Sequence, residues 1–175
     1  MPPTWETPLT APLLVQPLTR PVLCAPPTTP PVLTPPRTLV QGYFSRVAGG
    51  PTVRVRIVGL KGVLTVKGRS PDGVSRSEFE YTIPLADAES MLSEFCGSRV
   101  VRKKRFVFPA GNGLEWEVDE YLDLNEGLFT AEIELPAPET DFPRPAWLGK
   151  EVSGDPRFTN SALSLRPYSL WEVKP

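Results

Sequence analysis

The sequence predicts an α+β fold dominated by an antiparallel β-sheet. From residue 38 onward, charged residues recur at alternate positions with apolar residues between them, a period typical of strands with one polar and one apolar face. Short segments rich in Gly, Pro, Asn or Ser separate these stretches, and connections of this length usually join antiparallel neighbours. One stretch of helical spacing interrupts the series, which gives the α component.

Seven segments are predicted as strands on these grounds: residues 39–46, 53–58, 62–68, 77–83, 99–107, 114–121 and 129–135. Residues 85–95 are predicted as a helix, because apolar residues recur there at helical spacing and Asp87 and Glu89 lie in the first turns, where the helix dipole favours acids. Two short helical pieces are expected near the carboxyl end, at residues 147–151 and 160–165.

The amino-terminal stretch differs sharply in composition from the remainder. Residues 1–36 hold 12 of the 23 prolines, and each proline removes a backbone donor and restricts the residue before it. This stretch is therefore predicted to be disordered or polyproline-like, without a central strand. The chain divides into a Pro-rich segment, residues 1–37, and one folded domain, residues 38–175.

Composition excludes several classes of function. With 19 basic and 20 acidic residues, no global charge draws the chain to nucleic acid or to a membrane, and no apolar run suits a membrane span or a secretory signal. Cys24 and Cys96 lack metal-ligand spacing, a structural disulfide is not expected, and a reducing cytoplasm fits. The absence of histidine excludes Ser-His-Asp and Cys-His catalysis and His-ligated zinc, so any metal must be held by oxygen.

The charges come in pairs of one sign on each strand. The basic pairs are Arg54 with Arg56 and Lys103 with Arg105; the acidic pairs are Glu78 with Glu80, Glu117 with Asp119, and Glu132 with Glu134. An open sheet whose charged face meets water would explain them. A barrel with this face inward would instead need opposite charges or ligands to compensate each buried charge. Such a lumen could hold phosphate through Arg and Lys, and a divalent cation through carboxylates.

An ordered set of segments resembles the CYTH superfamily, the triphosphate tunnel metalloenzymes. It comprises Gln41-Gly42-Tyr43-Phe44, Val53-Arg54-Val55-Arg56, Leu64-Thr65-Val66-Lys67, Ser75-Arg76-Ser77-Glu78-Phe79-Glu80-Tyr81, Val101-Arg102-Lys103-Lys104-Arg105-Phe106, Trp116-Glu117-Val118-Asp119, Ala131-Glu132-Ile133-Glu134-Leu135 and Trp147-Leu148-Gly149-Lys150-Glu151-Val152 through Asn160. The match covers residues 38 to 168, and the Gln-Gly-Tyr segment is most similar to the short bacterial tripolyphosphatases.

The resemblance implies an antiparallel barrel with a charged tunnel, flanking helices and Mg²⁺ or Mn²⁺ as cofactor. Its implied triphosphate ligands are Arg54, Arg56, Arg76, Lys103 and Arg105. Its implied metal ligands are Glu132 and Glu134, with Glu78, Glu80, Glu117 and Asp119 as further ligands or as orienters of the basic residues. Tyr43 and Lys67 fall where the tripolyphosphatases carry residues that activate water. The implied partner is a small molecule that contains a triphosphate, and a homodimer is compatible with the sequence.

One departure from the family pattern leaves alternatives open. The family begins with a strand bearing Glu-x-Glu-x-Lys, and nothing in residues 1–38 matches it. The first strand is thus missing or replaced, through an error of reading frame or through real loss. The expected function is metal-dependent hydrolysis of a triphosphate, most similar to inorganic tripolyphosphate. The alternatives are an inactive polyphosphate- or nucleotide-binding module and a class IV adenylate cyclase.

Overall fold

The computed structural model describes the backbone of residues 18–24 and residues 35–44, 50–68, 77–137 and 139–174. Nine strands form one sheet: β1 (Leu18–Cys24), β2 (Arg37–Tyr43), β3 (Thr52–Val58), β4 (Lys61–Lys67), β5 (Glu78–Ile83), β6 (Val100–Gly111), β7 (Leu114–Tyr121), β8 (Phe129–Leu135) and β9 (Leu148–Glu151). Their order is β5-β4-β3-β2-β6-β7-β8-β1-β9, and all neighbours are antiparallel.

Two short helices accompany the sheet. Helix α1 (Leu85–Met91) continues into a π-helical turn (Leu92–Cys96), and α2 (Asn160–Leu165) lies near the carboxyl end. Single 3-10 turns occur at Asp123–Asn125, Pro156–Phe158 and Tyr168–Leu170. No helix of the described part of the chain is long and apolar enough to cross a membrane.

The structure confirms the predicted α+β class and its antiparallel sheet. Strands β7 and β8 and helix α2 have the predicted bounds, whereas β6 runs beyond its predicted end to Gly111. The predicted helical piece at residues 147–151 is wrong, because Leu148–Glu151 forms the end strand β9. Its pairing with β1 is a contact between distant parts of the chain, so local spacing does not indicate it.

The prediction of disorder for residues 1–36 is wrong for Leu18–Cys24, which forms β1 between β8 and β9. Proline is tolerated in strands where one side needs no partner. Pro21 lies opposite Glu132 of β8 but beyond the pairs that β1 makes with β9, at Val22 and Cys24. The first strand is therefore replaced rather than missing. The remainder of the predicted disordered stretch, residues 1–17 and 25–34, lies outside the described residues.

Apolar residues cover one face of the sheet and one of its ends. Helix α1 packs on β3 and β4 through Val55 and Ala88, and a cluster around Trp116 and Ile133 covers β6, β7 and β8. The carboxyl-terminal segment packs against the end of β7 through Tyr121 and Leu163. The opposite face of the sheet keeps the charged residues.

The sheet curves around this charged face. Tyr43 on β2 lies within electrostatic range of Glu132 on β8, although β6 and β7 separate the two strands. Arg56 on β3 similarly lies within electrostatic range of Arg105 on β6 and Glu117 on β7. Hydrogen bonds do not join the end strands β5 and β9 in the described part of the sheet, so its curvature, rather than full closure, forms the charged concavity.

Candidate active site

The predicted site residues that the structure describes share one face of the sheet. Residues directly opposite each other in an antiparallel pair project to the same face. The register aligns Tyr43 with Arg54, Arg54 with Thr65, Thr65 with Glu80, Lys67 with Glu78, Arg105 with Asp119, and Glu117 with Glu132. Arg56, Lys103 and Glu134 lie two residues from members of this set and so join the same face. Arg76 lies outside the described residues.

Strands β3, β4 and β5 supply a basic region around two arginines. The Arg54 guanidinium donates to the Thr65 hydroxyl at 3.1 Å, and Thr65 in turn donates to a Glu80 carboxylate oxygen at 3.2 Å. Glu80 lies 3.6 Å from Arg54 and 3.7 Å from Arg56. One half-exposed carboxylate therefore faces two largely buried guanidinium groups, which leaves an excess of positive charge.

The two arginines keep hydrogen-bonding capacity that the described part of the chain does not use. The Nε atoms of Arg54 and Arg56 are both buried, and neither has a hydrogen-bond partner among the described residues. Burial, followed by the charge of Arg54, lowers the pKa of Arg56, which shows that its charge is poorly compensated. Buried donors of this kind normally have acceptors, so the region suits an anion with several oxygens, such as a phosphate.

Strands β6 and β7 hold a buried ion cluster centred on Asp119. Lys103 donates to Asp119 at 2.5 Å, and Arg105 makes two further hydrogen bonds to it, each 2.7 Å long. Burial alone would raise the pKa of Asp119, but Lys103 and Arg105 outweigh it and lower this pKa. Burial likewise opposes the charge of Arg105, yet Asp119 and Glu117 raise its pKa. Both partners are thus held in their charged forms.

Three of the predicted metal ligands already form ion pairs with basic side chains. Asp119 is fully buried and engaged by two cations, and Glu80 and Glu78 contact basic residues of β3 and β4. In these positions the three carboxylates form ion pairs with basic side chains. Lys103 is itself almost fully buried, and its ammonium group is paired with Asp119.

Glu117 and Glu132 remain as the carboxylates that face one another. They lie directly opposite across β7 and β8, an arrangement that is destabilising for like charges without a cation between them. Arg105 contacts both, at 3.4 Å in the case of Glu132. Burial, and then the charges of Asp119 and Glu117, raise the pKa of Glu132, although Lys103 and Arg105 act in the other direction.

These acids fit a metal that completes its coordination with other oxygens. No three His, Cys, Asp or Glu side chains of the described chain converge closely enough to hold an ion by themselves. Mg²⁺ commonly uses one or two carboxylates and takes its remaining ligands from water and substrate phosphates. Glu117 and Glu132, with Glu134 next on the same face of β8, meet that requirement.

The register of β1 explains why the acidic set is small. Residues Thr19, Pro21 and Leu23 of β1 lie opposite Glu134, Glu132 and Thr130 of β8. None of the three positions carries an acid or a lysine. The replaced strand therefore adds no carboxylate at the positions across from Glu132 and Glu134.

The two predicted catalytic residues both lie at the basic region. Tyr43 is buried, and its oxygen accepts a hydrogen bond of 3.0 Å from the Gln41 side-chain amide. Burial raises the pKa of Tyr43 to about 12, against the opposing charges of Arg54 and Arg56. Lys67 pairs with Glu78 at 2.9 Å, and both side chains are mostly buried. Each of the two residues can donate a hydrogen bond in this state.

Two polar residues of this face were missed as functional residues. Thr65 is fully buried and links Arg54 to Glu80, and Gln41 is almost fully buried beside Tyr43. Both lie two residues before a predicted catalytic residue in the same strand, Lys67 or Tyr43. A polar residue at the alternate position of an otherwise apolar strand was the signal that could have identified them.

Comparison with known proteins agrees with this architecture. The chain is 50% identical over 117 residues to an inorganic triphosphatase of Acetivibrio thermocellus, which covers 67% of this chain and 74% of the relative. It is 32% identical over 129 residues to an inorganic triphosphatase of Nitrosomonas europaea, with 73% and 83% covered. The crystal structure of the inorganic triphosphatase NE1496 matches with a TM-score of 0.65 and 28% identity, covering 85% of this chain and 97% of that one. The sequence profile of the CYTH domain matches residues 36–159, and the chain therefore belongs to the CYTH domain family.

Proposed function

We propose that the protein is a metal-dependent hydrolase of inorganic tripolyphosphate. The observation that carries the proposal is the pair of buried Arg54 and Arg56 Nε donors, which have no acceptor among the described residues, in a region with excess positive charge. Phosphate oxygens would satisfy both donors, and guanidinium groups bind them with two parallel hydrogen bonds. Relatives named inorganic triphosphatase support the choice of substrate.

The charged face separates a substrate region from a metal region. Arg54, Arg56 and Lys67 would bind the phosphates on β3 and β4. Arg105 would lie between the two regions, because it contacts Glu117 and Glu132 and its charge also acts on Arg56. Glu117 and Glu132 would hold Mg²⁺ or Mn²⁺, with Glu134 next to them on the same face of β8. When bound, the metal would neutralise charge on the phosphoryl group under attack.

Tyr43 and Lys67 would orient the reacting groups as hydrogen-bond donors. With its pKa raised to about 12, the Tyr43 hydroxyl keeps its proton at neutral pH. Lys67 is paired with Glu78 and has no lone pair to offer as an ammonium. Both would therefore donate to a phosphate oxygen or to the attacking water. Preorganised donors of this kind stabilise charge that develops in the transition state.

Phosphate release from tripolyphosphate with Mg²⁺ or Mn²⁺ tests the activity. The wild-type chain should be compared with a variant that restores the family pattern at the β1 positions across from Glu134, Glu132 and Thr130, namely Thr19→Glu, Pro21→Glu and Leu23→Lys. We expect metal-dependent release from both and a higher rate from the variant. Release by neither would contradict the proposal.

Lys67→Ala should lower kcat more than it weakens binding, and an unchanged kcat would remove Lys67 from the mechanism.

The sequence of β1 favours a second candidate, a binding module without catalysis. The β1 positions opposite Glu132 and Glu134 hold Pro21 and Thr19, so part of the family's acidic set is absent there. Tight binding of tripolyphosphate by calorimetry, without metal-dependent phosphate release, would select this candidate. Incubation with ATP separates a cyclase, since cyclisation yields cyclic AMP and pyrophosphate and hydrolysis yields orthophosphate.

A further inference from the structure

Gln41 and Tyr43 form a buried polar pair on the charged face of β2. Both residues are buried, and the Gln41 amide donates to the Tyr43 oxygen at 3.0 Å. Gln41 lies opposite Arg56 on one side and opposite Val101 on the other. Gln41 is uncharged and takes no part in the ion pairs of this face. Its hydrogen bond to Tyr43 is therefore the contact that needs an explanation.

The residue between them fixes the strand that carries the pair. Gly42 faces the opposite side of β2, against the π-helical turn, where a Cβ atom would lie 2.5 Å from Cys96 Sγ and 2.8 Å from a Leu92 methyl carbon. Such a close approach is available only to glycine. Strand β2 is also hydrogen-bonded to β3 and β6 along its length. The backbones of Gln41 and Tyr43 are therefore held on both edges and from behind.

The hydrogen bond determines what the Tyr43 hydroxyl can do. A phenolic hydroxyl has one proton to donate and accepts through its oxygen. The Gln41 amide occupies the oxygen as a donor, and the positive charges of Arg54 and Arg56 act on the same oxygen. With a fixed donor on its oxygen, the hydroxyl is left with its proton to donate. An amide does not titrate near neutral pH, so this arrangement persists across the working range.

We propose that Gln41 is a positioning residue that holds the Tyr43 hydroxyl as a dedicated hydrogen-bond donor to a phosphate oxygen of the substrate. The inference rests on the proposed function, because it takes the anion beside Arg54 to be a phosphate. It assigns Gln41 no contact with substrate. Its contribution passes entirely through Tyr43, so replacing Gln41 should have no effect once the Tyr43 hydroxyl is absent.

A double-mutant cycle between Gln41→Met and Tyr43→Phe tests the inference by kinetics. Methionine keeps the length of the side chain and removes the amide. We expect Gln41→Met to lower kcat for tripolyphosphate by roughly tenfold, the scale of one hydrogen bond, with KM changed less than about twofold. In the Tyr43→Phe background the same substitution should have no further effect on kcat. An equal loss of kcat in both backgrounds would overturn the proposal.

Thr130→Val is the matched control for a structural effect. Thr130 is a buried residue of the same face whose hydroxyl donates to a buried tyrosine, Tyr121, at 3.5 Å. Its substitution should lower the melting temperature and leave kcat within about twofold. Gln41→Glu is the second variant, because its carboxylate would accept a hydrogen bond from the Tyr43 hydroxyl and so draw this donor away from the substrate. It should lower kcat at least as much as Gln41→Met, and near wild-type turnover by it would contradict the inference.

A nuclear magnetic resonance measurement separates this inference from the proposed activity. The ¹³Cζ resonance of Tyr43, assigned with Tyr43→Phe, is followed while tripolyphosphate is added without metal. Donation to phosphate should shift the resonance in the wild type and shift it less in Gln41→Met. An inactive chain that shows this difference would refute hydrolysis and support the role of Gln41. Identical shifts in the two proteins would overturn that role whatever the activity.

Discussion

The substitution Asp119→Asn tests how far the charged face depends on one buried carboxylate. Asp119 is fully buried and receives hydrogen bonds of 2.5 Å from Lys103 and of 2.7 Å from two nitrogens of Arg105. Asn has nearly the same shape and no charge. The substitution leaves Lys103, whose side chain is 2% exposed, beside a neutral group. It should therefore destabilise the fold strongly without enlarging any cavity.

The magnitude follows from the partners that remain. Removing one member of a buried ion pair typically costs about 3–5 kcal/mol, because a buried charge is left uncompensated. Arg105 retains Glu117 and Glu132, so the lower end of that range applies. We expect a loss of about 3 kcal/mol in the free energy of unfolding. For a chain of this length that corresponds to a melting temperature lower by roughly 6–12 °C.

Urea denaturation at pH 7 measures the loss, with Asp123→Asn as matched control. Asp123 pairs with Arg102 at 3.6 Å, and their side chains are 65% and 57% exposed. Such exposed pairs contribute little, so the control should change stability by less than about 1 kcal/mol. A loss for Asp119→Asn no larger than that of the control would refute the reasoning.

The pH dependence supplies a second check on Asp119. Its pKa is lower in the folded protein than in the unfolded chain, so its stabilisation is present above the unfolded pKa and is lost as pH falls through the folded one. The difference in stability between wild type and Asp119→Asn should therefore shrink on acidification below roughly pH 4. A difference that grows on acidification would contradict the direction of this pKa shift.

Three further substitutions test other parts of the site. Arg56→Gln should weaken tripolyphosphate binding at least about tenfold in calorimetry. It should not lower the melting temperature, because the charge of Arg56 is poorly compensated in the free protein. A large loss of stability would contradict this. Tyr43 has a pKa raised to about 12, so its stabilising effect is present below the unfolded value and lost as pH rises through the folded one. The stability difference between wild type and Tyr43→Phe should fall above roughly pH 10, and a constant difference would be the wrong outcome. Gly42→Ala should cost about 1–3 kcal/mol by urea denaturation, since its Cβ would lie 2.5 Å from Cys96 Sγ, whereas Gly154→Ala, with nothing within 4 Å, should change little.

Much of the charged face could be predicted from the sequence. Alternation along a strand is a local property, so Arg54 and Arg56, or Glu132 and Glu134, must share a face wherever the strand lies. The same argument placed strands β7 and β8 at their observed bounds. It could not place β1 or β9, because both exist through pairing with distant segments.

The different contacts of the individual acids also could not be predicted from the local sequence pattern. Glu80, Asp119 and Glu132 are equivalent in sequence, as acids at alternate strand positions. Only the register puts Asp119 beside Arg105 and Lys103, and Glu132 opposite Glu117. Pairing across strands, rather than residue type, thus distinguishes the acids that form ion pairs with basic side chains from those that we propose as metal ligands.

The sequence by itself determined the antiparallel α+β fold, the faces of the strands and the chemical class of the residues on the charged face. These follow from periodicity and side-chain chemistry, which act over a few residues. Tertiary structure alone decided that Pro21 lies in a strand across from Glu132, that Asp119 is buried between two cations, and that the Gln41 amide donates to the Tyr43 oxygen. Each of these is a contact set by strand register and sheet curvature, which bring together residues far apart in the chain.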